Sequence, residues 1–444
     1  MRRFYSDTLA RGIELLYFQN DTSKYPEGVR LVEEACANNE PDAYYIMARC
    51  YAWGDGDVKD NDRKAVDYSI KGAELGSDLC ILGAKRFGRL KSLMPVMKHT
   101  LQEAVAAVTE MAQAGNAVAQ YAIALFYFWG DATTIQSGKN MAELEAQNGR
   151  ESIKWYTMAA QQGHIPSFKN LYISTYKGQN GVPKDINRAF MYAENLKDKV
   201  QIPPYLCDTI GGDYETVKNY TKMVEWYERG VAAGGSSSIN NLGFSYLNGT
   251  GVAKNYDKAF ELFTMGKDKG EPYSAYNLGR CYFFGWGCKE DKSQAFKLFK
   301  IAANANHKAA QAYLAQYYYE GLAGVPADYA ECRRWAQRSA GNGYYMGKYY
   351  LGKCYLYGNG VLANYEMALR MFKECVSKTD YADAYLCMGE MYEKGLGVGV
   401  DYNQAVAYYQ KAAGLGCADA NAELARFKKS FFGNNWKLRK AENS

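Results

Sequence analysis

The sequence predicts an all-α chain built as a stack of antiparallel helix pairs. Three observations carry this. A turn glycine recurs at Gly249, Gly285, Gly321, Gly358 and Gly395, spaced by 36, 36, 37 and 37 residues, the period of a helical repeat. A tyrosine stands three residues before each, at Tyr246, Tyr282, Tyr318, Tyr355 and Tyr392. An Asn or Asp then recurs where a second helix must begin, and these residues accept orphan backbone N–H bonds at a helix start.

The first helix of each repeat is marked by Leu242, Gly243 and Tyr246, which return as Leu278, Gly279 and Tyr282 and as Leu351, Gly352 and Tyr355. Leucine and tyrosine four apart share one face. The glycine between them costs about 1 kcal/mol of helix propensity. Its recurrence predicts helices that approach too closely for a side chain, and Ala48 and Ala315 hold the same column.

The phrase G-x-G-V, at Gly249 to Val252 and Gly358 to Val361, then ends the helix through a left-handed glycine and plugs a valine into the core. The second helix starts at Asn61, Asp185, Asn255, Asp291, Asp328, Asn364 or Asp401. Gln294, Glu331 and Gln404 follow at the third position, as in a capping box. A small residue and a bulky one four later, such as Ala259 and Phe263 or Ala368 and Phe372, complete a buried stripe.

Extended along the chain, this reading makes residues 1–444 a single repeat array. An N-terminal helix pair lies at 5–40, irregular repeats at 42–235, regular repeats at 236–416, and a capping helix with a basic tail at 417–444. The last helix, about 417–430, leads into Phe431, Phe432 and Trp436. Three units depart from the pattern. Unit 77–115 lacks the glycine phrase, unit 116–163 carries an insertion near 131–149 ahead of a helix at about 150, and unit 201–235 has a short first helix after Pro203 and Pro204. Such departures are either drift in loops or the place where a generic scaffold carries something specific.

Composition narrows the function. With 48% hydrophobic and 15% aromatic residues the chain buries a core and is not disordered. Only three histidines, His99, His164 and His307, count against a multi-histidine metal enzyme. The 53 basic and 48 acidic side chains give +5, and Arg426, Lys428, Lys429, Lys437, Arg439 and Lys440 supply most of it. The nearly neutral body argues against a nucleic-acid groove. The tail is either a solvated helix end or a contact for an acidic surface. No apolar stretch reaches membrane-span length and no export signal opens the chain.

The eleven cysteines, Cys36 to Cys417, include no C-x-x-C and read as buried thiols of a cytoplasmic protein. No G-x-S-x-G, H-E-x-x-H or complete G-x-x-x-x-G-K-(S/T) occurs, so no catalytic residue, cofactor or metal site is expected and the chain reads as a non-enzyme. His164 and His307 fall at unit boundaries and read as junction residues.

The phrases LGFSYLNGTGVAKNYDKAFELF at 242–263 and MGEMYEKGLGVGVDYNQAVAYYQKAAGLG at 388–416 resemble the Sel1-like repeat, most strongly over 236–416 and 42–76. The resemblance implies a right-handed α/α superhelical solenoid related to tetratricopeptide arrays, acting as an adaptor or scaffold for proteins. By analogy with that geometry, a protein or peptide segment lies along the inner, concave face of the first helices. Its contacts are Tyr45, Arg49, Asn240, Phe244, Tyr276, Arg280, Phe283, Gln316, Tyr319, Tyr349, Lys353, Leu356 and Glu390. Tyr276, Phe283, Tyr319 and Tyr349 are the expected anchors, and Arg280 and Lys353 the readers of an acidic group. Alanine at Tyr276 and Tyr349 is expected to abolish capture while leaving the fold intact. A structural homo-oligomer is the alternative reading, and a hydrolase is disfavoured.

Overall fold

The structure is a computed structural model that describes residues 3–86, 89–134, 140–429 and 436–438. The chain divides into two compact units, Met1–Tyr214 and Glu215–Ser444. The first contains α1 (Asp7–Tyr17), α2 (Tyr25–Ala37), α3 (Pro41–Trp53), α4 (Asp62–Leu75), α5 (Asp78–Arg86), α6 (Leu90–Leu93), α7 (Leu101–Gln113), α8 (Ala117–Phe128), α9 (Met141–Gln161), α10 (Ile165–Lys177) and α11 (Ile186–Leu196). Helix α12 (Pro204–Thr216) closes it, with its last two residues past the boundary.

The second contains α13 (Tyr220–Ala232), α14 (Ser236–Asn248), α15 (Tyr256–Asp268), α16 (Pro272–Phe284), α17 (Lys292–Asn304), α18 (Lys308–Glu320), α19 (Tyr329–Gly341) and α20 (Tyr345–Tyr357). It continues with α21 (Tyr365–Val376), α22 (Ala382–Lys394), α23 (Tyr402–Gly414) and α24 (Ala418–Ala425). Two short antiparallel strands follow, β1 (Phe427–Lys429) and β2 (Trp436–Leu438).

The repeat consensus has a physical reason at every position. A Cβ added at Gly243, Gly279 or Gly352 would lie 2.7, 2.8 or 2.6 Å from the ring of Phe263, Phe299 or Phe372, all three fully buried. The small residue is therefore the seat of the second helix's aromatic ring. Gly249, Gly285, Gly321, Gly358 and Gly395 all adopt positive φ, and each N–H closes its helix on the carbonyl four residues back. The second glycine of the phrase serves the neighbouring repeat, since Gly251, Gly287 and Gly360 press against the carbonyls of Tyr220, Tyr256 and Tyr329. Val325, Val361 and Val398 are packed, half-buried, against the core.

The recurring tyrosine sets the register of the second helix. The carbonyls of Tyr246, Tyr282, Tyr318, Tyr355 and Tyr392 accept the backbone N–H of the next N-cap residue, Asn255, Asp291, Asp328, Asn364 or Asp401. Each of these caps in turn accepts, through its side chain, the N–H three residues on. The capping-box expectation at Gln294, Glu331 and Gln404 is corrected here. The cap N–H that such a side chain would accept is already donated to the tyrosine carbonyl, and a reciprocal box closes only at Thr100 and Glu103 among the described residues. Asp291→Ala is expected to destabilise the α16–α17 repeat by about 1 kcal/mol, read as loss of amide-exchange protection in α17.

Three irregular segments differ from the sequence reading. Helix α9 starts at Met141 and not near 150, because Asn140 caps it and the following MAELEAQ is strongly helix-forming; the stretch 135–139 of the insertion lies outside the described residues. Helix α12 is a full 13 residues, since Pro204 at its first position fits a helix start and its sequence GGDYE stays helical. The last helix stops at Ala425 and covers the final repeat together with the strand pair: Ala420 shares the core with Ala412, and Phe427 is buried against Ala405, Val406 and Tyr409. Arg426 is anchored on the buried Glu393 at 2.6 Å and is not a free tail cation. Phe431, Phe432, Arg439 and Lys440 lie outside the described residues.

Candidate functional site

In the second unit the outward edge of the first helices is built from two positions four apart. One holds Phe244, Arg280, Gln316, Lys353 and Glu390; the other holds Asn248, Phe284, Glu320, Tyr357 and Lys394. Phe244, Phe284 and Tyr357 are exposed, and the members of the first column after Phe244 are half-buried. The sequence reading found the first column and missed the second. The signal was available, since a residue one helical turn past each chosen position shares its face.

Side chains of neighbouring first helices are tied together along this edge. Asn277 Nδ2 donates to Asn240 Oδ1 at 3.0 Å, Tyr350 OH to Glu320 at 2.7 Å, and Tyr357 OH to Glu390 at 2.6 Å. Lys394 completes the Glu390 site at 2.8 Å, and Gln316 Nε2 reaches Glu320 at 3.3 Å. Both carboxylates are thus satisfied. The cations of the first column have no ion pair, although Arg280 Nη1 donates to Asn277 Oδ1 at 3.4 Å. Lys353 Nζ sits 4.0 Å from the Tyr319 ring centre and 5.4 and 5.7 Å from those of Tyr349 and Tyr350. The Arg280 guanidinium lies 5.0 Å from Trp286 and 5.7 Å from Tyr276. Neither has a carboxylate at ion-pair distance among the described residues. Tyr276 itself is half-buried, stacked on His307 at 4.3 Å, and Phe283 packs edge-on to Tyr313.

Four of the expected contact residues are not at a surface. Tyr349 is 7% exposed and packed on Tyr381 and Phe372, and Leu356 is buried in the same core. The Tyr349 ring is consumed by the stack before any partner arrives. Tyr45 and Arg49, in the first unit, are also buried.

Arg49 is the less ordinary case, at 3% exposure. Its Nη2 pairs with Asp55 at 2.8 Å, Nε reaches Tyr17 OH at 3.4 Å, and the rings of Trp53 and Tyr121 lie 4.6 and 4.8 Å from the guanidinium. Burial works against its charge, but Asp55 and the oxygens of Tyr121, Tyr17 and Tyr45 hold its pKa above the usual value. Nη1 is buried with no hydrogen-bond partner. The residue lines two cavities, of about 460 Å³ and about 20 Å³. The smaller also receives Arg86, whose Nε is likewise buried without a partner.

A larger apolar groove of about 1010 Å³ lies along α9 and the segment from Thr175 to Tyr192. The helical part of the insertion makes it. Gly149 and Gly181 let α9 touch the 178–184 loop, where an added Cβ on either would drive into the other strand of chain.

The three histidines are all accounted for locally. His164 and His307 are the N-caps of α10 and α18, accepting at Nδ1 from Ser167 N–H and Ala310 N–H. His99 pairs with Asp78 at 2.8 Å. All eleven cysteines are free thiols. No helix among the described residues is long and apolar enough to cross a membrane.

Comparison with known proteins fits this architecture. Solved structures similar to the chain include c5321, described as a protective antigen of uropathogenic Escherichia coli strains displaying an SLR fold, at 20% identity and TM-score 0.50, with 89% of each chain covered. A Sel1 repeat protein from Oxalobacter formigenes is 23% identical at TM-score 0.54, over 77% of this chain and 92% of its own. At such identities the likeness is one of fold, a right-handed α/α solenoid of helix pairs. No curated protein matches the chain in sequence. The Sel1 repeat profile matches at 41–77, 117–164, 174–195, 236–271, 272–307, 308–344, 346–374 and 382–417. These eight matches take in more than half of the residues, and the chain belongs to the Sel1 repeat family.

Proposed function

We propose that this chain is a protein-interaction scaffold whose α16–α22 edge takes an extended, acidic segment of a partner protein. Sel1 repeat proteins generally mediate protein–protein interactions. The observation that carries the finer reading is the contrast along one edge. Glu320, Glu390 and Lys394 are paired, whereas Arg280 and Lys353 stand among aromatic rings with no carboxylate at ion-pair distance among the described residues, Arg280 holding one amide contact to Asn277. A cation held by ring faces keeps its charge available to an incoming acid. Exposed Phe284 and Tyr357 flank the two cations and supply apolar area. His164 and His307 spend their Nδ1 lone pairs as helix caps, which fits a structural use of both residues.

The test is the double variant Arg280→Glu, Lys353→Glu. Truncating a central anchor typically costs about 2 kcal/mol or more, so a double reversal is expected to weaken capture by at least ~100-fold. Affinity capture from the native host, with circular dichroism to verify folding, should lose the bound protein. Undiminished capture by the folded variant refutes the acidic-segment reading. Tyr276→Ala with Tyr349→Ala is the wrong test, because emptying the buried Tyr349 position would unsettle the stack itself.

A further inference from the structure

We propose that the Arg49 cavity of the first unit is a binding site for a small organic carboxylate with a planar, apolar body. The inference is separate from the partner-binding edge of the second unit and does not depend on it. Its first basis is the cavity, about 460 Å³, within the range of small-ligand pockets and too small for a folded partner. Its second is the aromatic wall. Tyr17, Tyr25, Trp53, Tyr121 and Tyr205 all line it, and rings favour offset or edge contact with another planar group.

The third basis is charge. Arg49 and Lys169 line the cavity against one carboxylate, Asp55, which Arg49 already engages. Lys169 is exposed, its Nζ 5.6 Å from the Tyr205 ring, with no carboxylate at ion-pair distance among the described residues. One uncompensated positive charge suits a monoanion. A dianion would meet Asp55 with its second charge.

The fourth basis is the orphaned donor. Arginine has five N–H groups and no acceptor; the hydroxyls of Tyr45 and Tyr121 lie close to the guanidinium but leave Nη1 without a partner at full hydrogen-bond distance, so whatever satisfies it further must bring a lone pair. A buried donor left unmade is costly, and a carboxylate offers two oxygens in the plane a guanidinium prefers. The smaller cavity, of about 20 Å³ and lined by both Arg49 and Arg86, has room for no more than a water, so only the main cavity can take the ligand's body.

The probe is 3-phenylpropionate, titrated into the full chain by isothermal calorimetry beside 3-phenylpropionamide and acetate. Saturable binding is expected for the acid, at least about tenfold tighter than for the amide, which lacks the charge, or for acetate, which lacks the ring. Lys169→Met removes an exposed cation without touching the core and is expected to weaken the acid about two- to fivefold while leaving the amide unchanged. Arg49→Lys keeps the charge and loses the fork; it is expected to weaken the acid further, with folding checked by circular dichroism.

Equal affinity for acid and amide overturns the proposal, as does the absence of saturation for either, or an unaltered acid affinity in Lys169→Met. A carboxylate on a planar body can be a free small molecule or the aromatic C-terminal residue of a peptide. N-acetylphenylalanine compared with a tetrapeptide ending in the same residue separates them. Tighter binding of the tetrapeptide assigns the pocket to a chain end, and equal binding assigns it to a free acid.

Discussion

Phe372→Ala is expected to cost about 3–5 kcal/mol, the range for removing a fully buried aromatic ring from a core that cannot collapse around the gap. Phe372 has no exposed surface and its ring lies against Gly352 on α20, with Tyr349 6.2 Å away. The glycine leaves no side chain that could swing into the space. The loss should be local, because in a repeat stack each pair is held by its neighbours. Hydrogen exchange should show α20 to α22 opening first while α14 to α17 keep their protection. The partner substitution tests the same contact from the other side. A Cβ at residue 352 would lie 2.6 Å from the Phe372 ring, so Gly352→Ala is expected to destabilise by about 1–3 kcal/mol despite alanine's better helix propensity. Combining Gly352→Ala with Phe372→Leu should recover part of that loss, since the two positions share one space. Urea melts in which Phe372→Ala loses under about 1 kcal/mol, or in which the pair adds simply, would contradict the ring-on-glycine account.

That account was legible in the sequence because it repeats. One occurrence of Leu-Gly followed by Tyr means little, but Gly243, Gly279 and Gly352 in register, each matched by a phenylalanine twenty residues later, encode a contact. The N-caps were legible for the same reason. What the period could not reveal is which aromatic residues the stack itself consumes. Tyr349 and Tyr276 occupy the same column, yet Tyr349 is buried on Tyr381 while Tyr276 is half-buried on His307. The difference is set by the following repeat, which places a histidine cap beside one and a tyrosine beside the other. The Arg49 cavity was hidden more deeply. Its walls come from α1, α3, α8, α10 and α12, so helices far apart in sequence supply it, and Arg49 was reached only as a member of a column. The long α9 groove arises from the insertion, where the repeat offers no register to read.

Acid should destabilise the first unit through His164, and the size of the effect follows from its role as a cap. Its Nδ1 accepts from Ser167 N–H at 3.3 Å and meets Ser167 Oγ at 2.9 Å, a task that needs the neutral ring's lone pair. The ring is 1% exposed, and burial first, then the nearby Arg49 charge, push its pKa down to about 3. In the unfolded chain the same imidazole titrates near about 6.5. Between these values the unfolded state takes up a proton that the folded state refuses. Stability is therefore complete above about pH 6.5 and is lost as pH falls, by about 1.4 kcal/mol per unit. Asp42 opposes this. Burial raises its carboxyl to about 6, so the folded state binds its proton first and gains stability as pH falls from there toward the ordinary carboxylate range. The two contributions nearly cancel over that interval, and the wild-type curve alone would conceal both. His164→Asn separates them. Asn116 already caps α8 in this fashion, accepting from Val118 and Ala119 N–H, so asparagine keeps the hydrogen bond without the titration. The variant carries a constant penalty for the lost ring. The gap between wild type and variant should then shrink, and reverse, as pH drops below about 6.5, with a slope near 1.4 kcal/mol per unit. Urea melts at a series of pH values read that slope directly, and parallel curves would mean that His164 is not the neutral cap described.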